Sequence, residues 1–132
     1  MEANELMIGD WVYSAFTISE LPCKITCLKL HEGGYTTIET TNVIGVTDIT
    51  SLSPIPLTTE ILEKNGFEYK EGEFGMYGIA IVPHYVRDDV PFEIFCDGEP
   101  FAIWFKEPIN IKYVHQLQHS LRLYGIEKEI GL

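Results

Sequence analysis

The sequence has few basic residues. Nine lysines and arginines stand against twenty aspartates and glutamates, which gives a formal net charge of −11 over 132 residues. Residues 1–66 carry nine acids and three bases (−6), and residues 67–132 carry eleven acids and six bases (−5). Binding nucleic acid by neutralising phosphates requires a basic surface, and no cluster of Lys and Arg is present to form one. We therefore expect no direct nucleic-acid partner, whereas an acidic surface can engage a basic partner or imitate DNA.

Long apolar runs and cysteine frameworks are also missing. No apolar run approaches the roughly 20 residues of a membrane-spanning helix. The opening M-E-A-N-E-L is acidic where a secretory signal peptide is positively charged. Three cysteines without a framework of spacings are typical of a reducing compartment, and we expect Cys23 and Cys27 to be free thiols facing the core. These features predict a cytoplasmic protein without a membrane partner.

Catalytic motifs are scarce. No glycine-rich phosphate loop follows a strand and opens a helix, and the nucleophile elbow G-x-S-x-G is absent. Asp88 and Asp89 are adjacent, so on a strand their carboxylates would point to opposite faces instead of forming a pair. The sequence therefore favours a protein that is not an enzyme, and it predicts no cofactor.

Residues 109–125 have the pattern of an amphipathic helix. Asn110 is suited to the N-cap, Ile109 and Val114 have the spacing of a hydrophobic staple, and Gly125 is a natural stop. At 100° per residue, the side chains of this helix divide into an apolar face and a polar face. The apolar face, expected to pack on a sheet, comprises Tyr113, Val114, Leu117, Leu121 and Tyr124. The polar face, expected to meet solvent or a partner, comprises Lys112, His115, Gln116, Gln118, His119 and Arg122.

His115 and His119 stand at positions i and i+4, the spacing at which two imidazoles can share one metal ion. The string H-Q-L-Q-H is similar to the zinc-protease motif H-E-x-x-H, but Gln116 occupies the position of the glutamate general base. An amide has no useful proton affinity, so peptide hydrolysis by that mechanism is excluded. Two solvated surface histidines are the simpler interpretation. Metal binding without catalysis would need a third ligand, for which the candidates are His84, Asp88 and Cys96.

Residues 1–53 are expected to form a small β-barrel. Short β-prone runs follow one another with turn residues and no helix between them. These runs cover residues 7–13, 23–30, 35–41 and 43–49. The opening I-G-D-W-V followed by a K-I-T strand resembles the entry to SH3-like barrels.

Residues 54–67 are expected to form a short connecting helix. Thr58 can cap its start, Asn65 and Gly66 end it, and Phe67 can fold back on Leu62 in a Schellman-type close.

Residues 68–132 are expected to form an antiparallel sheet packed by the C-terminal helix. The predicted strands are 76–82, 85–88, 92–96 and 101–106, and Asp97 with Gly98 has the pattern of a hairpin turn. The fold class is therefore α+β, and the three segments are expected to form one compact unit.

Three blocks of sequence frame nearly the whole chain: I-G-D-W-V, P-I-P-L-T-T-E-I-L-E-K-N-G-F and I-K-Y-V-H-Q-L-Q-H. In this order they resemble a family of small proteins from anaerobic gut bacteria and from their phages and other mobile elements. The resemblance implies an intracellular bacterial or phage protein, and it brings no catalytic or ligand residues.

The hypothesis favoured by these features is a non-catalytic interaction module that binds a protein partner or a second copy of itself. Aromatic side chains supply much contact area at low entropic cost. The first alternative is a small metal-binding protein or hydrolase built on His115 and His119, and the second is an acidic inhibitor that mimics DNA. The candidate binding residues are His115, Gln118, His119, Arg122, Trp11 and Tyr85.

Overall fold

The computed structural model describes residues 5–17, 21–71, 83–96, 101–104 and 108–132. The chain divides into two compact units, Met1–Ile55 and Pro56–Leu132, which we call the N-terminal unit and the C-terminal unit. The division falls inside the predicted connecting segment 54–67. The described residues form two antiparallel sheets and two helices, so the α+β class is confirmed.

The N-terminal unit contains a five-stranded antiparallel sheet. Its strands are β1 (Trp11–Ser14), β2 (Pro22–Leu30), β3 (Thr36–Thr40), β4 (Thr47–Asp48) and β5 (Leu52–Pro54). Their spatial order is β4-β3-β2-β1-β5, and a 3₁₀ turn, Ile49–Ser51, joins β4 to β5. Within the described strands β4 and β5 lie at opposite edges without pairing, so closure into the predicted barrel is not observed.

Along β2, alternate side chains are buried until a β-bulge interrupts the pattern. Ile25 pairs with Thr40 and Cys27 pairs with Glu39, so β2 advances two residues where β3 advances one. After the bulge Leu28 packs against the core. The prediction of core thiols is therefore confirmed for Cys23, whose burial raises the pKa of its thiol, but Cys27 is only half-buried. The core cluster consists of Leu6, Val12, Ile25, Ile38 and Leu52.

The short helix α1, Thr59–Lys64, agrees with the prediction from sequence. The hydroxyl oxygen of Thr58 accepts a hydrogen bond from a first-turn amide at 3.3 Å. At the other end Gly66 has φ +84°, and the N–H of Phe67 donates to the carbonyl of Leu62 at 3.1 Å. Both Leu62 and Phe67 are buried, which completes the Schellman-type close.

The C-terminal unit contains the second five-stranded antiparallel sheet, with its strands in chain order. The strands are β6 (Glu68–Lys70), β7 (His84–Val86), β8 (Ile94–Phe95), β9 (Phe101–Trp104) and β10 (Pro108–Ile111). Strands β6 and β10 were not predicted from the sequence. The predicted strand 76–82, the Asp97-Gly98 turn and the end of the predicted strand 101–106 lie outside the described residues.

One row of paired side chains crosses this sheet from edge to edge. Each member is paired with the next, in the order Tyr69, Tyr85, Ile94, Ile103 and Ile109. The three central side chains are 4%, 0% and 0% exposed, whereas Tyr69 and Ile109 at the edges are 48% and 43% exposed. The centre of the row therefore belongs to the core of the unit.

Helix α2, Val114–Leu123, begins later than predicted. Asn110 lies in β10 and is not its cap; the N-cap is Tyr113. Gly125 ends the helix as predicted, at φ +72°. In the described ranges neither helix combines the length and the apolarity that crossing a membrane requires.

Candidate functional site

The polar face predicted for α2 is partly buried. His115 and Gln118 are 2% and 6% exposed, whereas Tyr124, which was placed on the apolar face, is 40% exposed. Compared with the prediction, the buried face of the helix thus includes His115 and Gln118 and excludes Tyr124. The prediction that these two residues face solvent is wrong, and His119 and Arg122 are half-buried.

The two histidines belong to a series of ring contacts. The ring of Tyr113 stacks on that of His115, with centroids 5.8 Å apart and planes at 7°, and the ring of His119 meets His115 edge-on at 5.6 Å. Among the described residues no group of three His, Cys, Asp or Glu side chains is placed to hold a metal ion. The structure therefore does not bring His115 and His119 together with any of the candidate third ligands, His84, Asp88 and Cys96.

Gln116 holds the start of α2. Its side-chain oxygen accepts from the backbone N–H of Lys112 at 2.7 Å and from that of Tyr113 at 3.1 Å. An N3 side chain that reaches back to the N-cap amide is one half of a capping box. The residue at the position of the protease glutamate thus faces the backbone at the start of its own helix.

Trp11 lies in the N-terminal sheet and Tyr85 in the C-terminal sheet, and both side chains contact neighbouring residues of their own unit. The ammonium of Lys24 lies 5.2 Å from the centroid of the Trp11 ring, a cation–π contact on a half-buried side chain. Tyr85 is 4% exposed, its ring meets Tyr69 edge-on, and its hydroxyl donates to Glu63 at 3.4 Å. Burial, followed by the nearby Glu63 carboxylate, raises the pKa of Tyr85. Little of the Tyr85 ring is left for a partner.

Arg87 is a buried cation that the sequence did not single out. Its guanidinium donates through two nitrogens to the carboxylate of Asp89 and through the third to the carbonyl of Asn65 at 3.0 Å. It also lies 4.8 Å from the centroid of the Phe67 ring. The hydrogen bond from Arg87 holds the pKa of Asp89 below its ordinary value. These contacts engage every guanidinium nitrogen within the unit, so we assign Arg87 a structural role.

A cleft with a volume of about 550 Å³ opens at the start of the C-terminal unit. Pro56 and Tyr113 form an isolated antiparallel bridge, and the N–H of Leu57 donates to the carbonyl of Lys112 at 2.8 Å. The cleft is therefore built where the segment before α1 meets the segment before α2. Its described lining residues are Pro56, Leu57, Thr58, Phe101, Ile111, Lys112 and Tyr113.

Four large apolar side chains are exposed at one end of the N-terminal sheet. Two lie in the β1–β2 connection and two in the β3–β4 connection, and these connections share one end of the sheet because strand direction alternates in a meander. The side-chain amide of Asn42 joins them by donating to the carbonyl of Pro22 at 3.1 Å. We call these four residues the apolar end; they are Phe16 (68% exposed), Leu21 (47%), Ile44 (104%) and Val46 (61%).

The backbone of the β3–β4 connection keeps Ile44 in solvent. Asn42 and Gly45 both adopt left-handed conformations, at φ +64° and +88°. Asn tolerates this conformation and Gly adopts it without steric cost. Since a Cβ built on Gly45 would meet no atom within 4 Å, its φ and not lack of space favours glycine there. In the sequence, the run N-V-I-G-V shows apolar residues between two turn formers, but we predicted a strand there.

Comparisons with protein-family models, with curated proteins and with solved structures found no match.

Proposed function

We propose that this protein is a non-catalytic interaction module of a bacterial or phage system, and that the apolar end is its contact surface. The observation that carries the proposal is that four exposed apolar side chains lie in the two connections at the same end of one sheet. Single exposed apolar residues are common on proteins, whereas a group of them is typical of an interaction site.

The expected partner is a protein segment that combines apolar side chains with Lys or Arg. The N-terminal unit carries seven acids and two bases, a balance of −5. One of the two bases, Lys24, lies over the ring of Trp11, and Asp48 is exposed close in sequence to Val46. Apolar contacts would supply affinity, while the acidic surroundings speed the encounter with a basic segment and disfavour an acidic one.

The strand order of the N-terminal unit supports an SH3-like architecture as part of this proposal. Strands β1 to β4 form a meander, and β5 returns after the 3₁₀ turn to pair with the other side of β1. Small β units of this kind serve many functions, and recognition of extended peptides is one of them.

The metal-binding or hydrolase alternative and the DNA-mimic alternative gain no comparable support from the described residues. His115 is buried and has no third ligand beside it there. The acidic residues are distributed over both units, and no single described cluster of them favours DNA mimicry over a generally acidic surface.

Selection of peptides by display against the intact chain tests the proposal. We expect the selected peptides to place large apolar residues next to Lys or Arg. The double variant Ile44→Ser/Val46→Ser should weaken binding of a selected peptide at least about tenfold, because each lost apolar side chain contributes on the order of 1 kcal/mol. Leu30→Ser is the matched control, since Leu30 is 75% exposed in the same unit but lies at the opposite end of the sheet.

Two results would contradict the proposal. One is the selection of acidic or uncharged peptides, and the other is equal binding by the double variant and by the Leu30→Ser control. Light scattering on the same samples tests self-association. A dimer that becomes a monomer in the double variant would assign the apolar end to a second copy of the chain instead of a basic partner.

A further inference from the structure

We propose that the cleft of the C-terminal unit is a second binding site, and that it takes a small organic anion with an aromatic or aliphatic body. This inference does not depend on the function proposed for the apolar end, because the described lining residues of the cleft belong to the other unit.

The size and walls of the cleft fit such a ligand. Its volume of about 550 Å³ lies within the range of roughly 300–1,000 Å³ that is typical of small-molecule sites. Leu57 and Ile111 are 6% and 1% exposed, so the side chains beneath the cleft are packed into the core. Phe101, paired with Ile111 across the strands, adds a half-buried ring. A fixed apolar wall of this kind binds the apolar body of a ligand without reorganising.

Lys112 supplies the charge. Its carbonyl accepts a hydrogen bond from the N–H of Leu57, and its N–H donates to the side chain of Gln116. Both backbone groups of Lys112 are therefore held by hydrogen bonds. Its side chain is exposed and pairs with no described residue. It is also the only charged residue among the described lining, in a unit that carries thirteen acids and seven bases. The complement of the one charged residue among the described lining of a mainly apolar cleft is an anionic group.

Tyr113 supplies an aromatic surface that is already oriented. One face of its ring stacks on His115, which is 2% exposed and therefore fixed by the core. A ligand in the cleft would thus contact a ring held in place before binding, which lowers the entropic cost of association. Because Gln116 accepts from the amides of Lys112 and Tyr113, we assign recognition of the anion to the Lys112 ammonium and not to those amides.

The test uses two dyes with the same aromatic body and different charge. These are 8-anilinonaphthalene-1-sulfonate, an anion, and N-phenyl-1-naphthylamine, which is uncharged. We expect the anionic dye to bind the intact chain, and we expect Lys112→Met to weaken its binding about three- to tenfold. The uncharged dye should lose less than about twofold in the same variant, since its contacts are apolar. Lys29→Met is the matched control, because it makes the same change in net charge in the N-terminal unit.

The position of the bound anion is checked by amide chemical shifts. The inference predicts the largest shifts at Thr58, Lys112 and Tyr113. Shifts confined to the apolar end, equal weakening of both dyes by Lys112→Met, equal effects of Lys112→Met and Lys29→Met, or no binding of the anionic dye would each overturn it. Because the apolar end is probed by other variants and other ligands, either proposal can fail while the other stands.

Discussion

At the scale of single residues, Asn65 joins parts of the chain that are far apart in sequence. Its amide nitrogen donates to the carbonyls of Ile61 at 2.8 Å and Gly131 at 2.9 Å, and its amide oxygen accepts from the N–H of Gly131 at 2.7 Å. The neighbouring Ile130 is 2% exposed. One side chain thus ends α1 and holds the C-terminal segment to it.

Asn65→Ala is expected to lower the free energy of unfolding by about 1–3 kcal/mol, because backbone groups of Ile61 and Gly131 lose their partners. Asn65→Asp should cost at least as much at pH 7, since it removes both donors and sets a negative charge against two carbonyl oxygens. Asn110→Ala is the control, because Asn110 is exposed and should change the value by less than about 0.5 kcal/mol. Chemical denaturation measures all three, and equal values for Asn65→Ala and Asn110→Ala would contradict the assignment.

The local role of Asn65 could be predicted from the sequence, but its distant contact could not. Asn followed by Gly after an apolar helical turn is a local pattern, and the structure confirms the helix end there. The contact with Gly131 depends on the fold bringing the C-terminal segment back to the end of α1, and the residues next to Asn65 in the sequence do not indicate this. Arg87 was missed partly for the same reason, because one of its partners is the carbonyl of Asn65, although its other partner, Asp89, is near in sequence.

At the scale of elements, α1 was predicted well and α2 less well, and strand β10 explains the difference. Both ends of α1 are set by adjacent residues. Before α2, Ile109 and Ile111 pair with Ile103 and Phe101, which assigns residues 108–111 to a strand and moves the helix start past Asn110. Periodicity identified a helix, but the width and direction of its buried arc depend on the packing around it. His115 and Gln118 were therefore placed on the wrong side.

Gln116 is expected to stabilise the start of α2. Gln116→Ala should lower the free energy of unfolding by about 1 kcal/mol, because the amides of Lys112 and Tyr113 lose their shared acceptor. Gln116→Glu keeps an acceptor there and adds a negative charge near the positive end of the helix, so stability should be unchanged or raised by up to about 1 kcal/mol. Thermal denaturation at pH 7 distinguishes the two variants.

Gln116→Glu also creates the string H-E-x-x-H, and it should nevertheless bring no zinc-dependent hydrolysis of peptides. The new carboxylate would face backbone amides, and His115 beside it is buried. Calorimetric titration with zinc and a peptidase assay check this expectation. Zinc-dependent cleavage by the variant would show that the helix start can rearrange into an active site, against the structural role assigned to Gln116.

At the scale of the whole molecule, the acid excess is shared by both units. The N-terminal unit carries seven acids and two bases (−5), and the C-terminal unit carries thirteen and seven (−6). The Lys70–Glu68 ion pair is 3.6 Å long with both side chains mostly exposed. It therefore offsets little of the electrostatic repulsion between the acidic residues. Composition alone predicted the charge, whereas the gathering of apolar side chains at one end required the strand order.

Added salt is therefore expected to stabilise the protein at pH 7. Raising NaCl from about 0.01 M to about 0.15 M shortens the screening length from roughly 30 Å to roughly 8 Å, which weakens repulsion between the acids more than it weakens close contacts. We expect the midpoint of thermal unfolding to rise by about 2–5 °C, as for a gain near 1 kcal/mol in a chain of this size. The same titration near pH 4.6, the isoelectric point, should give almost no rise, because the net charge is then close to zero. A midpoint that falls with salt at pH 7 would show that attractive pairs outweigh the repulsion between the twenty acids.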